Sequence, residues 1–79
     1  MPPRKTYKYR EVLRKLKQHD KRFEEYVQRG KGSHRMLYHP DVLGRPASYP
    51  IPCHGGGDDV RDVYLRAIIR RFNLPADFF

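Results

Sequence analysis

Tryptophan is absent and cysteine occurs once, at Cys53. A single thiol closes no internal disulfide, which excludes the disulfide-stapled secreted scaffolds and leads us to expect a reducing, cytoplasmic location. No apolar run approaches the about 20 residues that a helical membrane span requires, and the mean hydropathy is -0.90. No apolar stretch follows the opening Met1-Pro2-Pro3-Arg4-Lys5, so neither a secretory leader nor a membrane partner is expected. Apolar residues make up only 38% of the 79 positions, enough for one small domain with a thin core. An aromatic content of 13% is nonetheless too high for a disordered tail.

Acidic residues are also scarce. Nine Asp and Glu face seventeen Lys and Arg, a net charge of +8. Residues 1–35 hold twelve basic and four acidic side chains, whereas residues 36–79 hold five of each. The whole excess lies in the first half. A one-sided basic field suits a polyanion, most commonly a nucleic acid, with an anionic membrane or an acidic protein as the alternatives.

Residues 1–6 read as a loose N-terminal arm, and residues 7–79 as a single domain. Tyr9, Val12, Leu13 and Leu16 recur at helical spacing, which predicts a helix over 7–19 with Thr6 as its cap. Arg10, Arg14, Lys17 and Lys21 form a basic stripe on the opposite side. That stripe suits a phosphate backbone, or simply solvent. Residues 22–29 have strand composition, with Phe23 and Val27 on one face. The turn residues Gly30-Lys31-Gly32-Ser33 separate them from a second strand over 34–39, making a hairpin. Residues 40–46 read as a longer connection. Residues 47–53 form a third strand with Ala47, Tyr49, Ile51 and Cys53 on one face. Pro50 and Pro52 lack N–H donors on the same lateral side, so that side must be an open edge. After the glycines at 55–57, Asp58 or Asp59 is expected to cap a second helix running to about Phe72. Its buried face would comprise Val60, Val63, Tyr64, Ala67, Ile68 and Phe72, with Asn73 and Pro75 as stops. The fold class is α+β, in α-β-β-β-α order. A three-stranded antiparallel sheet carries both helices on one face and leaves the other for solvent or a partner.

The segment Arg29-Gly30-Lys31-Gly32-Ser33-His34-Arg35 is the densest candidate for chemistry. Its glycines allow close backbone approach, and its cations flank one imidazole. Such an imidazole can take a proton from a 2′-hydroxyl or give one to a leaving 5′-oxygen, while the cations stabilise the charge developing at phosphorus. No metal is needed for that route. A surface histidine at the head of a strand is the alternative. A metal site built from His34, His39, Cys53 and His54 is disfavoured, because His34 and His39 are an odd number of strand residues apart and point to opposite faces. Cys53 is expected as a buried, inert thiol. Tyr38 and Tyr49 are available to stack on bases or to pack in the core.

From Gly32-Ser33-His34 through Arg35-Met36-Leu37-Tyr38-His39-Pro40 the sequence resembles the HicA toxin family, small mRNA interferases of toxin–antitoxin pairs. The resemblance runs from about Tyr7 to Leu74. It includes the leading Arg10-Glu11-Val12-Leu13-Arg14-Lys15-Leu16, the strand ending Ile51-Pro52-Cys53-His54, and the closing Leu65-Arg66-Ala67-Ile68-Ile69. It implies a fold like a double-stranded-RNA-binding domain, in agreement with the order read above. It also implies metal-independent cleavage of mRNA and a cognate HicB-like antitoxin that covers the active site. The family's catalytic histidine falls on His34. Arg29, Lys31, Gly32, Ser33 and Arg35 are then candidates for holding the scissile phosphate, Arg10 and Arg14 for wider RNA contacts, and His54 and Tyr38 for secondary roles. No cofactor is implied. The residues 1–6 arm, the 40–46 connection and the 55–57 glycine run depart from shorter family members.

Overall fold

The computed structural model describes residues 6–28, 34–52 and 57–79. Its element order is β1 (Thr6–Lys8), α1 (Tyr9–His19), β2 (Glu24–Gln28), β3 (His34–Val42), β4 (Arg45–Pro52), β5 (Asp59–Arg61) and α2 (Asp62–Arg71). Strands β2, β3 and β4 form a three-stranded antiparallel sheet with β3 in the middle. Leu37 and Ile51 on one face of that sheet share a single core with Val12 and Leu16 of α1 and with Leu65 and Ile68 of α2. Both helices therefore cover the same face.

Strands β1 and β5 were not foreseen. They pair antiparallel in a two-stranded ribbon, with Thr6 opposite Arg61, Tyr7 opposite Val60 and Lys8 opposite Asp59. Thr6 thus belongs to a strand, not to an arm or a helix cap, and α1 begins two residues later than expected. The Tyr9 N–H donates to the Asp58 carbonyl at 2.8 Å, carrying the ribbon's bonding into the first turn of α1. The helix start is closed by the Glu11 carboxylate, which accepts the Lys8 N–H at 2.9 Å. Tyr9, Val12 and Leu16 are buried as their spacing requires.

The ribbon also moves the second helix. Residues 59–61 are strand, so α2 starts at Asp62 and neither Asp58 nor Asp59 caps it. Val60 is buried, but as a strand residue. Val63 is exposed and Leu65 is buried in its place. The expected C-terminus is observed. Asn73 adopts a left-handed φ of 54°, the Leu74 N–H donates to the Ile69 carbonyl at 2.9 Å and the Asn73 N–H to the Arg70 carbonyl at 3.4 Å. Together these close a Schellman-type ending.

Residues 40–46 are not a long connection. Strand β3 continues to Val42, and Leu43-Gly44 alone turns the chain into β4. Both turn residues have positive φ, 53° and 85°, as a type I′ hairpin requires. Between His39 and Val42 the β3 strand carries one extra residue, a bulge that accommodates Pro40. Strand β4 is an edge, as its prolines demand. Pro50 and Pro52 lie opposite Met36 and His34. The Ser48 carbonyl is covered by the Arg71 side chain, whose Nε donates to it at 2.9 Å.

Candidate functional site on the outer face of the sheet

The register sorts the candidate residues onto two faces. Phe23, Glu25, Arg35, Leu37, His39, Ala47, Tyr49 and Ile51 share the parity that faces the helices. Glu24, Tyr26, His34, Met36, Tyr38, Ser48, Pro50 and Pro52 share the opposite one. His34 is half-buried at the head of β3, between the positions of Gln28 and Pro52. Arg29, Lys31, Gly32 and Ser33 precede it in sequence, but they lie outside the described residues, as do Cys53 and His54.

Arg35 was expected beside the phosphate with Arg29 and Lys31. The structure instead turns it to the helix side. Its guanidinium pairs with the Glu25 carboxylate at 3.1 Å, each side chain retaining 22% exposure, and lies 5.8 Å from the centroid of the Tyr9 ring. Adjacent residues on a strand point apart, so His34 and Arg35 serve different faces. The Arg35–Tyr9 contact also places the start of α1 over the end of the sheet that carries His34. Arg10, exposed at that start, lies at this end of the domain, with Arg14 one turn further along the same exposed helix face.

Tyr38 stands on the outer face with His34, four residues along β3. Its ring meets the ring of Tyr26 on β2, centroids 5.9 Å apart and planes inclined at 69°. The Tyr26 hydroxyl donates to the Glu24 carboxylate at 3.1 Å, and this bond holds the Tyr26 phenol above its ordinary pKa. Tyr26 and Met36 were not singled out from the sequence. The alternation within residues 24–28 carries the relevant pattern, because Tyr26 is out of phase with Phe23. Tyr49, by contrast, packs against the core from the inner face.

His39 is buried on the inner face. Its Nε2 donates to the Asp20 carboxylate at 2.8 Å, and its Nδ1 accepts the Asp41 N–H at 3.0 Å. Both ring nitrogens are thus engaged, on the opposite side of the sheet from His34. The Asp20 carboxyl is held well below the usual range, first by the Arg22 side chain and backbone N–H and then by His39.

The family model described as HicA toxin of bacterial toxin-antitoxin matches residues 9–74. The chain belongs to the HicA toxin family. No curated protein matches the chain, and no solved structure does. The HicA-family match spans α1 through the residues just beyond α2 and leaves β1 outside it. Membership implies a toxin of a toxin–antitoxin system and an antitoxin partner. Among the described residues, no helix is long and apolar enough to cross a membrane.

Proposed function

We propose that this HicA-family toxin is an endoribonuclease that cuts mRNA in the cytoplasm, with His34 as its acid/base group. The observation that carries this reading is the place of His34. It heads the central strand on the face the helices leave open, directly after the Gly-rich basic segment, within the residues matched to the family. An imidazole so placed is accessible to a polymer, whereas His39 is enclosed.

In the reaction, the imidazole takes the proton of a ribose 2′-hydroxyl, whose oxygen attacks the adjacent phosphorus. The bond from phosphorus to the 5′-oxygen breaks, and that oxygen leaves with a proton given by the imidazolium or by a second acid. The products are a 2′,3′-cyclic phosphate and a 5′-hydroxyl end. Arg29 and Lys31, with the backbone of Gly32 and Ser33, supply cations and N–H donors for the phosphate. Arg10 and Arg14 contribute longer-range attraction that weakens with salt. Of the two candidates for a second acid or base, Tyr38 stands two rows from His34 along β3, about 13 Å away, which leaves His54. A HicB-like antitoxin would neutralise the toxin by covering this site.

The test is paired. Wild type and His34→Ala are induced in cells, growth and mRNA integrity are followed together, and the ends of the fragments are mapped. Growth arrest with mRNA loss for the wild type alone, cyclic-phosphate ends, and activity that persists in EDTA are the expected results. Equal behaviour of the two proteins, with intact mRNA, would reduce the domain to a binding module.

A further inference from the structure

We propose that the outer face of the sheet is a platform for single-stranded RNA, on which Tyr26 and Tyr38 stack unpaired bases flanking the bond that is cut. The proposal rests on the ribonuclease reading of His34 and adds to it the surface that holds the substrate.

The register supplies the layout. His34 heads the outer face, Met36 lies opposite Tyr26 in the next row, and Tyr38 lies opposite Glu24 in the row after. Successive rows are two strand residues apart, about 6.6 Å, so the Tyr38 row lies about 13 Å from the His34 row. An RNA strand running along β3 therefore presents its next bases to Tyr26 and Tyr38 once its scissile phosphate is at His34.

The rings are built for stacking. Tyr26 is 50% exposed, yet it is held by its hydroxyl on Glu24 and by the ring of Tyr38. A half-exposed aromatic with a fixed orientation gives up little freedom when a base lies on it. Core packing does not account for it, because the core lies on the other side of the sheet.

Aromatic surface on the face that His34 heads, and not charge, favours a nucleic acid as the occupant. By register the outer face carries Glu24 and His34 but no lysine or arginine among its described residues. The exposed cations Arg10, Arg14 and Lys17 are on α1, behind the sheet, so the platform offers rings and not charge. Base faces are uncharged and need only aromatic surface. Arg29 and Lys31, which precede His34 in sequence, are assigned to the scissile phosphate and not to the platform. A duplex hides its base faces, so the platform selects single strands.

The experiment measures binding apart from cleavage. An unstructured RNA of about twelve nucleotides is titrated by fluorescence anisotropy into the full chain carrying His34→Ala, alone and with each tyrosine variant. Tyr26→Ala and Tyr38→Ala should each weaken binding about 5- to 100-fold, with the salt slope unchanged because no phosphate contact is lost. Tyr26→Phe and Tyr38→Phe should bind within about twofold of the parent, since the ring persists. Should an alanine variant unfold, Tyr26→Leu and Tyr38→Leu keep the bulk, remove the aromatic face and should lose affinity alike. Folded variants that bind RNA as tightly as the parent overturn the proposal. So does a loss of antitoxin binding with RNA affinity intact, which would assign the face to protein. If the tyrosine variants lose RNA while His34→Ala still cuts it, the platform stands and the catalytic reading fails.

Discussion

His39 Nε2 lies 2.8 Å from Asp20 Oδ2, and this pair ties the turn after α1 to the bulge of β3. His39 also sets its ring edge-on against Phe23, centroids 4.6 Å apart, and Phe23 meets Phe72 at 5.1 Å beyond α2. One buried imidazole thereby links the sheet, the α1–β2 turn and the end of α2. The two histidines of β3 are divided by face: His39 locks the structure, whereas His34 stands on the face the helices leave open.

That division has a measurable consequence. His39→Ala should lower stability by about 2–4 kcal/mol, since it removes two hydrogen bonds and ring packing together. His34→Ala should leave the unfolding midpoint nearly unchanged. Urea denaturation of the two variants compares them directly, and equal losses would refute the assignment of separate roles.

The same pair sets an acid limit. The native state holds the Asp20 carboxyl below its ordinary value, so it binds that proton more weakly than the unfolded chain does. Its stabilisation is complete above about pH 4, the unfolded carboxyl range, and is lost progressively as the pH falls below it. Asp20→Asn should be less stable than wild type at neutral pH and should lose less on acidification. Unfolding midpoints from pH 7 down to pH 3, spanning the carboxyl range, test the sign, and parallel curves would contradict it.

Arg35 and Glu25 should behave as a structural pair. Each single alanine variant should destabilise the hairpin, and the double-mutant cycle should return a coupling of about 1 kcal/mol. RNA affinity should fall less for Arg35→Ala than for Lys31→Ala. The reverse order would return Arg35 to the phosphate.

Leu43 is an apolar residue in the wrong backbone conformation. It sits at φ 53° and is 82% exposed, where asparagine is favoured before a glycine. Leu43→Asn should raise stability by about 0.5–1 kcal/mol, whereas Gly44→Ala, at φ 85°, should lower it by about 1 kcal/mol. No atom lies within 4 Å of a Cβ built on Gly44, so the loss would come from backbone strain alone. Thermal melts of the two variants should move in opposite directions.

The β4 edge is blunted by Pro50, Pro52 and the Arg71 side chain on Ser48. Pro50→Val with Pro52→Val restores two outward N–H donors and should produce concentration-dependent self-association in light scattering. A double variant that stays monomeric would mean that Arg71 alone suffices.

The amphipathic α1, the hairpin around the basic turn, the proline-marked edge strand and the Asn73 stop are all legible in the amino-acid sequence. Each depends on local rules: helical spacing, turn chemistry, a missing N–H, a tolerated left-handed φ. The same is true of His34, whose neighbouring glycines and cations are contiguous with it, and of the parity that separates it from His39. The β1–β5 ribbon was not legible, because three-residue strands more than 50 positions apart carry no periodicity of their own and exist only by pairing. That pairing started α2 later, which turned Leu65 into the core and Val63 out of it. Tertiary structure likewise decided the direction of Arg35, since composition places it among the phosphate-binding cations while the pleat sends it to Glu25 and Tyr9. It also decided the joining of Tyr26 and Tyr38 on the face that His34 heads, because a cross-strand contact depends on register and not on proximity in sequence.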